Sequence, residues 1–288
     1  MKILLIAPNF KEPSAWMISA YKTAVNLNKQ KDTEVVVLTS QTKGSKKFEI
    51  IDDVKVFRSK AYYIPDPFNY AFTPWIFRDL RRLIKKEKPD KFLINKYMFF
   101  SSLTGLQLRM MGRKYILQTD TFPGYCWFAP SKVLNVGMWI YTRTLGFLVL
   151  KLAKKVILLH EGLEKPARKL GLEKISVIHN GVEFDDFDKA VAAKDIMDFK
   201  GKAKLVTYLG RLDEVKGYKL ALRLAAEMSD DPKYKNRVKF LFVCGDKYAE
   251  KRKDMEKKYP FIKFEGFRSD VASVFKASDI HILPSYNE

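Results

Sequence analysis

The chain has 288 residues, a length that at about 150 residues per domain suggests roughly two domains. Hydrophobic residues make up 47% and aromatics 14%, which excludes a chain too polar to bury a core. The net charge is +20, and the surplus is uneven, with 24 basic and 11 acidic residues in 1–150 against 29 and 22 in 151–288; such a field attracts nucleic acid, anionic lipid or phosphorylated small molecules without choosing among them.

Short apolar runs alternate with helical patterns along the whole chain, the signature of an α/β protein with parallel sheets covered by helices. The strands expected in the first part are KILLIA from Lys2, EVVVLT from Glu34, VKVF from Val54, KFLIN from Lys91, KYILQ from Lys114, KVILL from Lys155 and ISVIH from Ile175. They are near-continuous apolar runs, as strands buried on both faces should be. Between them, Met17, Ala20, Ala24 and Leu27 make one helical stripe and Ile76, Leu80, Leu83 and Ile84 another. After Asn180-Gly181 comes a polar stretch, and the alternation restarts with AKLVTYLG, VKFLFVCG, FIKFEG and DIHILP. This places a domain boundary near residue 175, giving units 1–175 and 176–288. The second is short and stops just beyond a strand, as expected of a truncated domain. The lysine cluster from Lys251 to Lys258 reads as a solvated helix face.

The opening MKILLIAPNF has one Lys before a short apolar run and reads as a buried strand rather than a signal peptide. The apolar run Leu145–Leu150 is bounded by Arg143 and Lys151, far short of the roughly 18 residues of a spanning helix. Cys126 and Cys244 lack metal-ligand spacing, which excludes a disulfide framework and suits a reducing compartment. A cytoplasmic chain, soluble or peripheral at the inner face of the membrane, is expected.

The segment richest in chemistry is Gly210-Arg211-Leu212-Asp213-Glu214-Val215-Lys216-Gly217, where an expected strand ends in a loop that opens a helix. Open α/β sheets bind ligands at such places, since strand C-termini and helix N-termini aim N–H groups and a positive dipole end at anions. Gly210 and Gly217 allow close backbone approach. Arg211 supplies a planar fork and Lys216 a mobile point charge, suited together to a diphosphate. A turn with surface charges is the other reading of the same spacing.

These residues resemble the retaining GT-B glycosyltransferases of family 4, also called glycosyl transferases group 1, whose G-R-L-x-x-x-K-G they match. Ile178-His179-Asn180-Gly181-Val182-Glu183 is similar to the family's I-x-N-G-V-D, and Phe264-Glu265-Gly266-Phe267-Arg268 to its F-x-G-x-x loop. Lys276-Ala277-Ser278-Asp279 resembles its A-x-D, and Leu283-Pro284-Ser285-Tyr286-Asn287-Glu288 its P-S-x-x-E. The resemblance implies two Rossmann-like domains facing a cleft, with a UDP-, GDP- or ADP-sugar donor held mainly by the second. It further implies that Arg211 and Lys216 grip the diphosphate, that Gly266, Phe267 and Arg268 lie against the base, and that Glu288 is the first carboxylate of the family's E-x7-E, near the donor sugar. The acceptor would be a glycan or lipid-linked sugar and the anomeric configuration would be retained. No metal or other cofactor is implied.

Two places in the first half depart from the family pattern. Pro8-Asn9-Phe10-Lys11-Glu12-Pro13-Ser14 replaces a Gly-Gly after the first strand, losing backbone freedom for wrapping a phosphate. Asp120 falls nearest the family's frequent His, where a carboxylate would orient a sugar hydroxyl or accept the acceptor's proton; capping of the next turn is the competing role. His160, His179 and His281 read as partly buried structural histidines. Asp186-Phe187-Asp188 spells D-x-D in a polar stretch rather than at the end of a buried strand, so no metal is assigned to it.

Between Asp120 and Glu161 there is no acidic residue. Taken as one helix at about 100° per residue, Arg143, Lys151, Lys154 and Lys155 share an arc of roughly 120° that would suit an anionic membrane surface. Phe122, Tyr125, Trp127 and Phe128 are either core or the lining of an acceptor groove. Three other functions compete with glycosyl transfer. They are a nucleotide-sugar epimerase or hydrolase on the same double fold, an inactive nucleotide-binding fragment, and a basic nucleic-acid-binding protein. The last lacks any recognised reader motif, so no nucleic-acid partner is expected.

Overall fold

A computed structural model describes residues 1–10, 19–64, 70–128, 131–182, 184–245, 248–259 and 261–286. The chain divides into two compact units, Met1–Asn180 and Gly181–Glu288.

The first unit is built on an eight-stranded sheet. Its parallel strands are β1 (Lys2–Ile6), β2 (Glu34–Ser40), β4 (Val54–Ser59), β7 (Lys91–Asn95), β8 (Ile116–Thr119), β9 (Lys155–Leu158) and β10 (Ile175–Val177). An antiparallel edge strand, β3 (Phe48–Ile51), completes the sheet, and β5 (Tyr62–Ile64) and β6 (Tyr70–Phe72) form a separate hairpin. The order is β10-β9-β8-β7-β1-β2-β4-β3, so successive strands run outward on one side of β1 and then on the other. Helices α1 (Ser19–Asn28), α2 (Ile76–Glu87), α3 (Thr104–Met110), α4 (Lys132–Arg143), α5 (Leu145–Leu152) and α6 (Glu164–Lys169) connect them.

The central strands are buried on both faces: Leu4 and Ile6 enter one core cluster, Ile3 and Leu5 the other. In α2, Ile76, Leu80, Leu83 and Ile84 are buried against the first of these clusters. This helix ends where Lys88 turns left-handed (φ 48°) and returns its N–H to the Ile84 carbonyl, one residue before Pro89, which lacks the N–H to continue. Ala20 and Ala24 of the first expected stripe are buried on α1, whereas Met17 lies outside the described residues.

The second unit carries a four-stranded parallel sheet of order β13-β12-β11-β14. Its elements are α7 (Phe184–Asp188), α8 (Lys194–Lys200), β11 (Lys204–Leu209), α9 (Tyr218–Asp230), β12 (Val238–Val243), α10 (Ala249–Lys258), β13 (Ile262–Glu265), α11 (Val271–Ala277) and β14 (Ile280–His281). Asp279 pins β14 to the sheet centre, accepting the Leu205 N–H at 2.8 Å and pairing with Lys200 at 2.7 Å and Lys204 at 3.1 Å. The Leu205 N–H first, then Lys200, hold its carboxyl far below the usual carboxylate range.

Three readings of the sequence shift. The division between units falls after Asn180 rather than near 175, because Ile175–Val177 pairs in parallel with Val156–Leu158 of the first sheet. The segment after Lys132 is not one helix: the chain breaks at Thr144 (φ −116°, ψ −107°) and α4 and α5 meet at 41°. Lys154 lies beyond α5 and Lys155 opens β9, so Arg143, Lys151, Lys154 and Lys155 do not share one helical face. Lys251 leaves the solvated face expected of its cluster, since its ammonium donates to the Leu212 carbonyl at 2.6 Å and lies 3.9 Å from the Tyr218 ring centroid.

Candidate functional site

In the second unit, successive strands run from β11 out to β13, and β14 then joins the opposite side of β11. The strand order therefore reverses at the C-terminal end of β11, the place where open α/β sheets leave a crevice for ligands. Gly210 to Gly217 occupies it.

Asp213 shapes this loop. Its carboxylate accepts the Lys216 N–H at 3.1 Å, capping the short 3₁₀ turn Glu214–Lys216, and it pairs with the Arg211 guanidinium at 3.1 Å. Tyr208, buried at the end of β11, donates its hydroxyl to the Arg211 carbonyl at 2.6 Å. Burial pushes that phenol above its ordinary range, so it remains a neutral donor. Lys251 holds the Leu212 carbonyl from α10. The backbone of the loop is thus fixed while the Arg211 side chain stays 43% exposed. A guanidinium oriented before any ligand arrives is what rapid, specific anion capture requires.

Gly217 shows what closes the other side. It sits at φ 65°, and a Cβ there would lie 1.9 Å from the Pro284 carbonyl oxygen. Tyr286 donates its N–H to the Val215 carbonyl at 2.9 Å. The segment 283–286 after β14 therefore lies directly on this loop, and the tight backbone approach permitted by Gly217 is to the protein's own chain. A Cβ on Gly210 would meet Leu283 of the same segment at 3.1 Å. Glu288, assigned from the sequence to the donor sugar, lies outside the described residues, as do Asn287 and Glu183.

Gly266, Phe267 and Arg268 follow β13, two strands from β11 on the same sheet edge. Phe267 is 71% exposed. Arg268 is engaged by three carboxylates, Asp195 at 2.6 Å, Asp270 at 2.7 Å and Glu265 at 2.8 Å. Hydrogen bonds to Asp270 and Asp195 raise its pKa further, and its own bonds lower those of both partners. At Glu265, burial pulls the other way and is outweighed by Lys263 and Arg268. Arg268 thus ties α8, the end of β13 and the start of α11 together, and the surface it leaves open belongs to Gly266 and Phe267.

In the first unit the strand order reverses between β1 and β7. Here Asn95, buried at the end of β7, accepts from Ser19 at 3.4 Å and donates to Gln118 at 3.3 Å. The next residue, Lys96, has φ 73°, a backbone that non-glycine residues adopt at a cost of roughly 1–2 kcal/mol, and its ammonium pairs with Asp120. The turn after β8 is closed by Thr119, which accepts the Thr121 N–H at 3.2 Å and donates to the Thr121 carbonyl at 2.7 Å. Asp120 therefore does not cap that turn. Lys96 was not signalled by its sequence, since only the pairing of β7 with β8 brings it to Asp120. Most of Pro8–Ser14 lies outside the described residues.

The aromatic stretch after β8 divides: Phe122 is buried core, Tyr125 packs against that core, and Phe128 is 51% exposed. Asp186 and Asp188 lie on the exposed helix α7 rather than at a strand end. His281 packs edge-on to Phe275, and burial lowers its pKa. Among the described residues, no three His, Cys, Asp or Glu side chains are grouped as a metal site.

Comparison with known proteins matches residues 19–186 to the family Glycosyltransferase Family 4 and residues 190–288 to Glycosyl transferases group 1. The UDP-Gal:alpha-D-GlcNAc-diphosphoundecaprenol alpha-1,3-galactosyltransferase of Escherichia coli is 27% identical over 251 residues, covering 77% of this chain and 62% of that protein. Among solved structures, sucrose-phosphate synthase from Thermosynechococcus elongatus superposes with TM-score 0.73 at 16% identity, over 100% of this chain and 76% of that one. A trehalose-6-phosphate protein from Escherichia coli bound with UDP-2-fluoro glucose does so with TM-score 0.63 at 10% identity, over 99% and 78%. At these identities the structural likeness carries the fold, the double Rossmann-like architecture of GT-B proteins.

Proposed function

The chain belongs to Glycosyltransferase Family 4, and from that premise we propose that it moves a sugar from a nucleoside-diphosphate donor to a hydroxyl of a lipid-linked or polysaccharide acceptor, with retention and without a metal. The observation that carries the proposal is the fixed loop Gly210 to Gly217 at the β11/β14 reversal, where Asp213 holds both the Arg211 guanidinium and the Lys216 N–H. The lipid-linked galactosyltransferase relative supports the acceptor class.

In the proposed reaction the bond between the anomeric carbon and the diphosphate oxygen breaks, and the acceptor oxygen bonds to the same face of that carbon. The state between has oxocarbenium character. Negative charge grows on the leaving diphosphate, so Arg211 and Lys216 stabilise the transition state more than the bound donor. The Arg211–Asp213 pair keeps the guanidinium aimed in the meantime. Asp120, poised by Lys96, is assigned to the acceptor, orienting a sugar hydroxyl or taking its proton. Gly266 and Phe267 are assigned to the base.

Calorimetric titration of the chain with UDP, GDP and ADP tests donor binding. One nucleotide is expected to bind measurably, and Arg211→Ala to weaken it tenfold or more, at about 1.4 kcal/mol per factor of ten. Equal affinity in wild type and variant overturns the assignment. With a nucleotide sugar present, release of nucleotide and free sugar in the absence of any acceptor would identify a hydrolase.

A further inference from the structure

Helix α4 is almost unburied. Only Thr142 is enclosed, while Val133 is 82% exposed, Val136 58%, Trp139 43% and Ile140 49%. At about 100° per residue these four occupy an arc of roughly 120°, and Thr142 falls outside it. Helix α5 repeats the pattern. Leu145, Leu148 and Leu152 are 50%, 46% and 38% exposed, while Gly146, Val149 and Leu150 face inward. Seven large apolar side chains are thus left open on the pair, more than the scattered single exposures normal on a soluble surface.

Charge says what covers this surface. No Asp or Glu occurs between Asp120 and Glu161. Lys132 and Arg143 stand at the two ends of α4, Lys151 lies on α5, and Lys154 and Lys155 follow. The Arg143 guanidinium lies 4.4 Å from the Trp139 ring centroid, an arrangement of amphipathic groups suited to a water–lipid boundary. A second copy of the chain docked face to face would bring two cationic rims together, whereas an anionic lipid surface complements the rim and the stripe at once.

No single helix among the described residues is long and apolar enough to cross a membrane, whereas α4 and α5 together have the length and composition of a bent span. What argues for shallow seating is that α5 is anchored in the first unit's core, with the Tyr115 hydroxyl bonded to the Val149 carbonyl and Gly146 packed so closely on Tyr97 and Tyr141 that no Cβ would fit.

We infer that the α4–α5 pair is a shallow insertion device that seats the first unit on an anionic phospholipid surface, with the apolar stripes in the acyl boundary and the lysines among the headgroups. This stands apart from the proposed transfer chemistry, because vesicle binding requires no sugar donor.

The test is co-sedimentation of the full chain with vesicles of phosphatidylcholine alone and of equimolar phosphatidylcholine and phosphatidylglycerol. Binding to the anionic vesicles is expected, with a blue shift of tryptophan emission that Trp139→Phe removes. The double substitution Val136→Ser with Ile140→Ser should reduce partitioning on the order of tenfold while leaving the unfolding midpoint unchanged, since both side chains are solvent-facing. No binding to anionic vesicles overturns the inference. So does binding that salt abolishes but the serine substitutions leave intact, which would assign it to net charge alone. A concentration-dependent dimer dissolved by the same substitutions would give the surface to a second copy instead. Should the double variant unfold, the wild-type Trp139 emission shift on vesicles decides by itself.

Discussion

Replacing Gly217 by alanine separates two effects that usually travel together. At φ 65° an alanine carries the left-handed penalty, roughly 1–2 kcal/mol. Its Cβ would also stand 1.9 Å from the Pro284 carbonyl oxygen, a backbone atom that can yield only by moving the whole segment 283–286. Forced overpacking of this kind adds typically 1–3 kcal/mol, so Gly217→Ala should destabilise by about 2–5 kcal/mol, a large share of the roughly 5–15 kcal/mol a protein has. Gly171 is the control. It has φ 74° with nothing within 4 Å of its Cβ position, so Gly171→Ala should show the strain alone, about 1–2 kcal/mol. Urea denaturation of both variants measures the difference, and nucleotide titration measures what the displaced segment does to the cationic loop. If Gly217→Ala proved no less stable than Gly171→Ala, the Pro284 contact would not constrain the loop, and the argument that segment 283–286 forms its wall would fail.

Asp279 predicts an acid limb. Its folded pKa is depressed below the unfolded value of about 3.9, so its contribution is fully present above that value and is lost as pH falls through the folded pKa. Asp279→Asn should lower stability at neutral pH by roughly 1–3 kcal/mol and flatten the fall measured in acid by circular dichroism. Arg268→Ala leaves Asp195 and Asp270 without their cation and Glu265 with Lys263 alone; with two of the three carboxylates largely exposed, a loss of about 1–2 kcal/mol is expected. Arg268→Lys should restore part of it, since one ammonium does not reproduce the fork, and thermal unfolding reads both. Asp120→Asn should change stability by less than about 1 kcal/mol, the Lys96 pair being partly exposed and the turn being held by Thr119. It should lower sugar transfer in an assay with donor and acceptor, and unchanged transfer would remove Asp120 from the reaction.

The strands of both sheets were legible because burial on two faces writes itself as unbroken Val, Ile and Leu. The antiparallel edge strand and the separate hairpin were not. Phe48–Ile51 alternates exposed and half-buried side chains over four residues, and the hairpin of β5 and β6 has three residues in each strand, too short for a period to declare itself. The break at Thr144 went unseen because no proline marks it, and Thr142-Arg143-Thr144 reads equally well as the polar edge of one long helix. Of the candidate site, Gly210 to Gly217 was visible because its glycines and cations are close in sequence. The clamp on Arg268 was not, since Asp195 is 73 positions away. Nor was the partnership of Lys96 with Asp120, which depends on β7 and β8 being neighbours.

Two arginines sit on the C-terminal edge of the second sheet, and sequence spacing treats them alike. Their surroundings do not. Arg268 is 17% exposed and shared by three carboxylates from separate elements, so an incoming phosphate would have to displace several charge-assisted bonds and leave half-enclosed Glu265 with Lys263 alone. Arg211 is 43% exposed and paired with Asp213, itself 31% exposed, so water can resolvate that carboxylate once the guanidinium turns to another anion. A diphosphate offers more charge and more acceptor oxygens than a single carboxylate, and bidentate recognition suits the fork. The exchange therefore disturbs less of the fold at Arg211 than at Arg268. The same sheet edge thus holds one arginine that fastens the fold and one that is more open to solvent, and the latter stands where the strand order reverses.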